Sequence, residues 1–382
     1  MKTDVAIIGA GPSGGMAACR LAKTGLNIKI LEKAILPRHK PCGGGIPVGI
    51  LKTLDWDITP FVEREVLAIK NLYNYTLPKL ESRKEASILM VNRSRFDYHL
   101  VERALELGNG RVDLQDGFEV SCVEEGENEV VVQGKNGDKI EANLVIAADG
   151  VFSKTAQYLG LNKGRKVCAA IDAEVEVIPE VYELEKDYAT FNFFCLANGY
   201  GWIFPKDGIL SCGVGAWDGK VGLVKELQDF LSKSFPSGSI RSVKRFGYQI
   251  PIYSGDRAIA SRRVCLVGDA ASLVDPILGE GIRFAIRSGI VAAEVVAGLL
   301  QAETGYSHDY EISPWGKGDC GIYQSLIHQT LGKNFNALRL FAGQLFLQAP
   351  ELFYRKFILE GQNYGSLSYQ MAEKLNSFST VK

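Results

Sequence analysis

The chain has 382 residues, 46% of them hydrophobic and 23% charged, with 43 Lys and Arg against 44 Asp and Glu for a net charge of −1. These values describe a folded globular protein of two to three domains. They exclude a chain disordered throughout and leave no basic surplus for a nucleic-acid partner. The 41 glycines are the outlier, about 11% of the chain against a usual ~7%.

In chain order, Val5 to Ile8 reads as a short buried strand, four apolar residues without alternation that glycine stops. Ser13 to Lys23 reads as a helix and Asn27 to Leu31 as a second strand ending at Glu32, which makes a βαβ start. Ala34 to Gly49 is rich in Pro and Gly and is expected to be loop. Residues 66 to 91 suggest short strands, and Ser94 to Leu107 a helix with Phe96, Leu100 and Leu107 among its apolar positions. Val112 to Val132 and Asp138 to Ala148 read as strands, with a hairpin turn at Asn136-Gly137. Val167 to Trp217 is strand-rich, Val221 to Lys233 helical, Val264 to Val267 a buried strand, and Glu280 to Leu300 a long helix. The last 80 or so residues read as mostly helical, with breaks at Pro314 and Pro350.

The eight cysteines form no C-x-x-C pair, and several sit in apolar runs such as Arg263 to Val267. That predicts buried thiols in a reducing, cytoplasmic setting rather than a disulfide framework. Four scattered histidines give no metal-ligand spacing, so no metal site is expected. The apolar run at the N-terminus is too short for a signal peptide. The best apolar stretch, Ile290 to Leu300, is interrupted by Glu294, so no membrane span is expected.

Four motifs carry chemistry. Gly9-Ala-Gly-Pro-Ser-Gly14 lies between strand and helix, where glycines permit a tight turn and the helix N-terminus faces a pyrophosphate. Glu32 ends the next strand, placed to accept from a ribose hydroxyl. Ala147-Ala-Asp-Gly-Val-Phe-Ser153 is an apolar strand running into Asp149-Gly150, and alone is an ordinary strand-to-turn transition. Val267-Gly-Asp-Ala-Ala271 puts Asp269 after a buried strand, where a carboxylate can accept from a ribityl hydroxyl. Pro276-Ile-Leu-Gly-Glu-Gly-Ile282 leads into the long helix, whose free N–H groups would stabilise negative charge.

Together these four point to FAD rather than NAD, because a nicotinamide enzyme has no need of a second ribityl-contacting segment some 250 residues after the first. In order and spacing, residues 1 to 300 resemble the FAD-dependent oxidoreductases of the para-hydroxybenzoate hydroxylase type. Two further motifs, Lys40-Pro-Cys-Gly-Gly-Gly-Ile-Pro47 and Tyr200-Gly-Trp-Ile-Phe-Pro-Lys206, resemble the geranylgeranyl reductase family within that superfamily. The resemblance implies an α/β fold: a Rossmann-like FAD-binding domain, an inserted antiparallel-sheet substrate domain and a C-terminal helical region. The expected boundaries are 1–65 with 90–165 and 250–300 for the FAD domain, 66–89 with 166–249 for the insert, and 301–382 for the helical region.

It also implies FAD contacts at Gly9, Gly11, Pro12, Ser13, Gly14, Glu32, Lys33, Cys42, Gly43, Arg93, Val120, Asp149, Gly268, Asp269, Pro276, Gly279, Gly281 and Ile282. Val120 is expected on the strand after the 94–107 helix. Cys42, Gly43 and Gly44 are the candidates nearest the chemistry: such a loop can bring a thiol beside a flavin, or Cys42 can merely pack. Tyr200, Trp202 and Phe204 share one strand face; with Pro205 they are the expected substrate contacts, and the rings line a prenyl slot or form core.

The implied reaction is saturation of isolated isoprenoid double bonds by hydride from flavin N5 with a proton delivered to the other carbon. Cys42, Tyr200 or a water on the Gly-Gly loop could supply that proton. The reductant is NAD(P)H, docking transiently because no second G-x-G-x-x-G exists, or a ferredoxin-type electron carrier. A flavin monooxygenase is the alternative. A flavin-dependent halogenase would carry W-x-W-x-I-P, where this chain has Tyr200 and Phe204. In the C-terminal part, Leu331, Phe335, Leu338, Phe341, Ala342, Leu345, Phe346 and Ala349 share a helical face, with Leu340 and Leu347 opposite. That face is either packing or a peripheral membrane contact that draws in a prenyl lipid.

Overall fold

The computed structural model describes the chain apart from residues 1, 55, 83, 218–221, 305–318 and 361–382. Its first stretch comprises β1 (Lys2–Ile8), α1 (Pro12–Leu21), β2 (Ile28–Leu31), β3 (Gly45–Pro47), β4 (Val62–Val66), β5 (Ala68–Tyr73), β6 (Thr76–Ser82) and β7 (Ile88–Val91). Then follow α2 (Arg93–Gly108), β8 (Val112–Gln115), β9 (Val120–Glu125), β10 (Val130–Gly134), β11 (Lys139–Ala147), α3 (Lys154–Tyr158), β12 (Cys168–Val177) and α4 (Pro179–Glu185). The remainder is β13 (Tyr188–Phe193), β14 (Gly199–Pro205), β15 (Leu210–Ala216), α5 (Leu223–Ser234), β16 (Ile240–Ile250), β17 (Val264–Leu266), α6 (Ile282–Thr304), α7 (Gly321–Ile327), α8 (Lys333–Gln348) and α9 (Pro350–Phe353).

Two compact units result: residues 1–38, 94–166 and 251–336 in the first, and 39–93, 167–250 and 337–382 in the second. This division differs from the expected boundaries in three places, the shortest being residues 90–93, which fall in the second unit with β7. Residues 39–65 fall in the second unit because β3 and β4 both pair with β7 in a small three-stranded sheet. The C-terminal region is shared between the units instead of standing apart.

The first unit is a doubly wound sheet. Its parallel strands run β8-β2-β1-β11, and nine-residue β11 is long enough to take two neighbours on its outer side: antiparallel β10 along Lys139–Ala142 and parallel β17 along Val145–Ala147. The β10–β11 turn falls at Asn136-Gly137 as the sequence suggests, with Gly137 at φ 89°. Helix α1 is built from small and apolar residues on every side, and Pro12 to Cys19 are all buried. It packs on α6 so closely that a Cβ on Gly289 would lie 2.2 Å from the Ser13 carbonyl oxygen. Over Ile282–Gln301, α6 is long and apolar enough to cross a bilayer, yet 78% of it is buried inside the protein, as befits a core helix. Tyr323 on α7 donates to the Leu266 carbonyl at 2.7 Å, and Phe335 meets Phe284 at 4.7 Å, so residues 320–336 close this core.

The second unit holds a seven-stranded sheet, β16-β12-β15-β14-β13-β5-β6, antiparallel except for the parallel β13/β5 pair. The sequence reading leaves β4, edge strand β16 and short helix α4 of this unit unassigned, and it expects loop over Ala34–Gly49 where pairing with β7 makes Gly45–Pro47 the short strand β3. One sheet face is core, where Leu227, Phe230 and Leu231 of α5 pack on Ile203, Cys212 and Val214. The other face carries the aromatic stripe. Helices α8 and α9 bury Phe346 and Phe353 against Phe194 and, for Phe346, Trp217.

Most of the apolar C-terminal face is thus protein core: Leu331, Phe335, Leu338 and Phe346 are buried and Ala349 is half-buried. The side chains of Phe341, Ala342 and Leu345 are not described, and the break at Pro314 lies outside the described residues. The residues placed opposite, Leu340 and Leu347, are 50% and 49% exposed. All eight cysteines are free thiols, and burial holds those of Cys212 and Cys265 well above their usual pKa.

Candidate functional site

In the first unit, segments far apart in sequence converge on the start of α1. A Cβ on Gly9 (φ 101°) would lie 2.3 Å from the Ala148 carbonyl oxygen, and one on Gly14 would lie 1.9 Å from Gly9's own. These two positions admit only glycine, and they press the first motif against Asp149-Gly150. Gly268 sits on Ser13, and the Asp269 carboxylate lies 3.6 Å from where a Gly281 Cβ would be. Ser288 Oγ accepts from the Gly268 N–H at 3.0 Å. All four motifs therefore belong to one neighbourhood.

Glu32 is 3% exposed and accepts from Ala10 N at 2.8 Å and Ala34 N at 3.1 Å, which ties the end of β2 to the glycine turn. A carboxylate has about four acceptor positions, so capacity remains for ribose hydroxyls. Asp149 Oδ2 accepts from the Thr155 N–H (3.1 Å) and hydroxyl (3.0 Å), while its Oδ1 is buried with no partner. Burial raises this carboxyl's pKa, offset in part by hydrogen bonds from Ser153 and Thr155.

The start of α6 departs from expectation. Its N–H groups are not all free, because Glu280 Oε1 accepts from Arg283 N at 2.9 Å. The Asp275 carboxylate folds the preceding turn by accepting from Ile277 N and Leu278 N, both at 2.8 Å. Burial raises the pKa of Glu280 against the pull of Arg283, and lowers that of Arg287 to about 10. Val120 is also displaced from its expected place. It opens β9, the second strand after α2, because β8 intervenes.

The second unit brings together the Pro-Cys-Gly-Gly loop and the aromatic strand. Across β14 and β13, Tyr200 pairs with Phe193 and Trp202 with Phe191, so these rings share a face with Phe204. Ring centroids lie 5.8 Å apart for Phe193–Tyr200 and 5.1 Å for Phe191–Phe204. Tyr200 and Trp202 are buried and Phe204 half-buried. The Trp202 indole lies over Gly213, whose Cβ would be 2.0 Å from the ring, and its buried Nε1 has no acceptor. A Cβ on Gly43 would meet Phe204 at 2.8 Å and Trp202 Nε1 at 3.4 Å. Cys42, half-buried, accepts at Sγ from the Gly44 N–H at 3.4 Å. Cys42, Gly43 and Arg93 belong to this second unit, unlike the other cofactor candidates.

A family model described as an FAD binding domain matches residues 2–221. The digeranylgeranylglycerophospholipid reductase of Thermoplasma volcanium is 30% identical over 340 residues, spanning 82% of this chain and 81% of that protein. The chain belongs to the geranylgeranyl reductase family of FAD-dependent oxidoreductases. A geranylgeranyl bacteriochlorophyll reductase-like protein from Thermoplasma acidophilum shares the fold, with TM-score 0.78 and 24% identity over 98% of this chain and 95% of that one. The flavin-dependent brominase Bmp2 shares it at TM-score 0.70 and 17% identity, over 98% and 94%.

The residues of this geranylgeranyl reductase-type protein fit FAD on two structural grounds. One is the orphaned Asp149 Oδ1, a buried acceptor awaiting a hydroxyl. The other is Gly11, where the protein itself leaves room: the nearest atom to a Cβ there is Arg38 Nη2 at 3.7 Å, and the backbone is extended. A glycine that the fold does not require keeps the space in front of the helix open.

Sequence reasoning missed Arg38, which stands between two buried carboxylates, Glu32 Oε1 at 3.5 Å and Asp97 Oδ2 at 3.3 Å. It falls in a Pro-rich loop with no spacing signal. Lys206 and Asp172, both buried beside the Cys42 loop, were missed as well. A lysine directly after the apolar Tyr200–Pro205 run was the available cue. Among the described residues no cluster of His, Cys, Asp or Glu could hold a metal.

Two outcomes follow for the cradle. Gly11→Ala should keep the ligand-free unfolding free energy within about 1 kcal/mol of wild type while weakening FAD binding strongly in a fluorescence titration. Gly14→Ala, which overpacks, should destabilise the fold by roughly 1–3 kcal/mol or more. For Asp149 the raised pKa means that ligand-free wild type loses stability as pH rises through that value. Asp149→Asn should therefore melt higher than wild type at neutral pH, with the gap closing below the ordinary carboxylate range. It should also bind FAD about tenfold more weakly, the cost of one lost hydrogen bond.

Proposed function

We propose that the protein saturates isolated C=C bonds of a geranylgeranyl or longer polyprenyl lipid. The observation that carries the reading is the seating of the Cys42 loop on Trp202 and Phe204. It sets a thiol-bearing, glycine-shaped loop beside an aromatic face that offers a prenyl chain apolar contact. Bound FAD would supply the hydride through its N5 atom. The alkene has no carbonyl to take up charge, so a proton must reach the second carbon from a positioned donor. Cys42 is the side chain we assign near that donor position, with Tyr200 on the aromatic face and a water on the Gly43–Gly44 backbone as the other sources. Trp202, Tyr200 and Phe193 keep bulk water away from that face.

The same fold serves oxygen-using flavoenzymes, which makes a monooxygenase the second reading. The name of the Thermoplasma volcanium relative, similar over four-fifths of this chain, favours reduction. The reductant we assign is NAD(P)H or a small electron-transfer protein, in either case docking transiently.

We place the protein in the cytoplasm with peripheral membrane contact. Because the expected C-terminal face is core, the contact falls to exposed Leu340, Leu347 and Leu352. Flotation with archaeal-type lipid liposomes should carry wild type upward and leave Leu340→Gln/Leu347→Gln behind; no flotation of wild type would remove the membrane contact.

Turnover with a digeranylgeranyl lipid, analysed by mass spectrometry, decides the chemistry. Products heavier by two mass units per double bond are expected. A gain of sixteen would establish oxygenation instead.

A further inference from the structure

The Cys42 loop has three successive glycines, Gly43 to Gly45, and such a segment has more conformational freedom to lose than any other. Something must hold it if the thiol is to occupy one place. Two buried charges lie on either side of it. Asp172, on β12 and 7% exposed, accepts from the Ser211 hydroxyl at 2.7 Å, and the Cys42 backbone N–H beside it favours its charged form. Lys206, just past β14 and 8% exposed, donates from Nζ to the Val91 carbonyl at 2.9 Å. Val91 in turn donates its N–H to the Gly44 carbonyl at 2.9 Å. The ammonium stands where a Gly44 side chain would be, 2.5 Å from the Cβ position.

We propose that Asp172 and Lys206 are positioning residues for Cys42, a clamp in which the carboxylate fixes the peptide before the glycines and the ammonium, through Val91, fixes the Gly44–Gly45 peptide within them. This rests on the reading of Cys42 as a residue of the reaction site. Two charges taken out of water are at best neutral for stability compared with apolar packing, so stability alone does not account for them. The clamp is also economical in geometry: Tyr182 donates to the Lys206 carbonyl at 2.5 Å, so the base of the lysine is itself fixed. Burial raises the Asp172 pKa against the hydrogen bonds and the nearby ammonium, with Glu174 adding to the rise.

The test is alkylation of the FAD-loaded protein with iodoacetamide, read by mass spectrometry at the Cys42 peptide and normalised to Cys122, a half-exposed thiol on β9. Asp172→Asn and Lys206→Met should each raise the Cys42 to Cys122 rate ratio at least tenfold, and Ser211→Ala by a smaller factor in the same direction. Labelling of buried Cys212 and Cys265 would reveal a variant that has not folded, and Ser211→Ala then decides. A ratio within twofold of wild type in the folded variants overturns the clamp. The readout needs no prenyl lipid, so failure of the reductase assignment would leave this result standing, and the reverse.

Discussion

At the start of α1, backbone meets backbone with no room for a side chain. Gly14 lies on Gly9, Gly9 on the end of β11, and α6 on Ser13, each at a distance that a single Cβ would break. Everything in the first unit that bears on a ligand depends on this contact. It seats the α1 N-terminus at the end of central strand β1, sets Asp149 beside it, and brings the Gly268–Asp269 turn within reach of Gly281. Glu32 completes the arrangement by accepting from Ala10 N, so a buried carboxylate at the end of β2 also fixes the glycine turn before α1. One constraint explains why motifs separated by more than 250 residues act as a single cradle.

The second unit solves a different problem with the same residue. Its sheet buries one face under α5 and carries a cluster of aromatic rings on the other. The core face follows ordinary packing, Phe230 against Leu227 and Val214. On the opposite face, large rings on β13 and β14 are matched by Gly213 and Gly215 on β15, so the Trp202 indole lies flat over bare backbone. The glycines of the Cys42 loop approach the same rings from outside. Small opposite large lets a loop carrying a thiol sit against aromatic surface with little water between.

Much of this was legible in the sequence because it is local. The βαβ start, the hairpin at Asn136-Gly137 and the long helix after Gly281 follow from apolar runs and turn residues, and the FAD motifs from glycine spacing. What was not legible depends on partners distant in sequence. Residues 39–65 join the second unit only because β7 pairs with both β3 and β4. Arg38 matters only because Asp97 and Glu32 converge on it, and Lys206 only because Val91 faces it. The C-terminal helical face is amphipathic whether it meets a membrane or a protein, and periodicity does not say which. The packing of Phe346 on Phe194 and Trp217 does.

The central claim is that electrons leave this flavoprotein for an alkene. Single-turnover absorbance measures it most directly: the FAD-loaded protein is reduced in the absence of oxygen, then mixed with a geranylgeranyl lipid or its fully saturated counterpart. The account predicts that the oxidised-flavin band returns with the unsaturated lipid and stays bleached with the saturated one. A band that returns only when oxygen is admitted, whichever lipid is present, would contradict it.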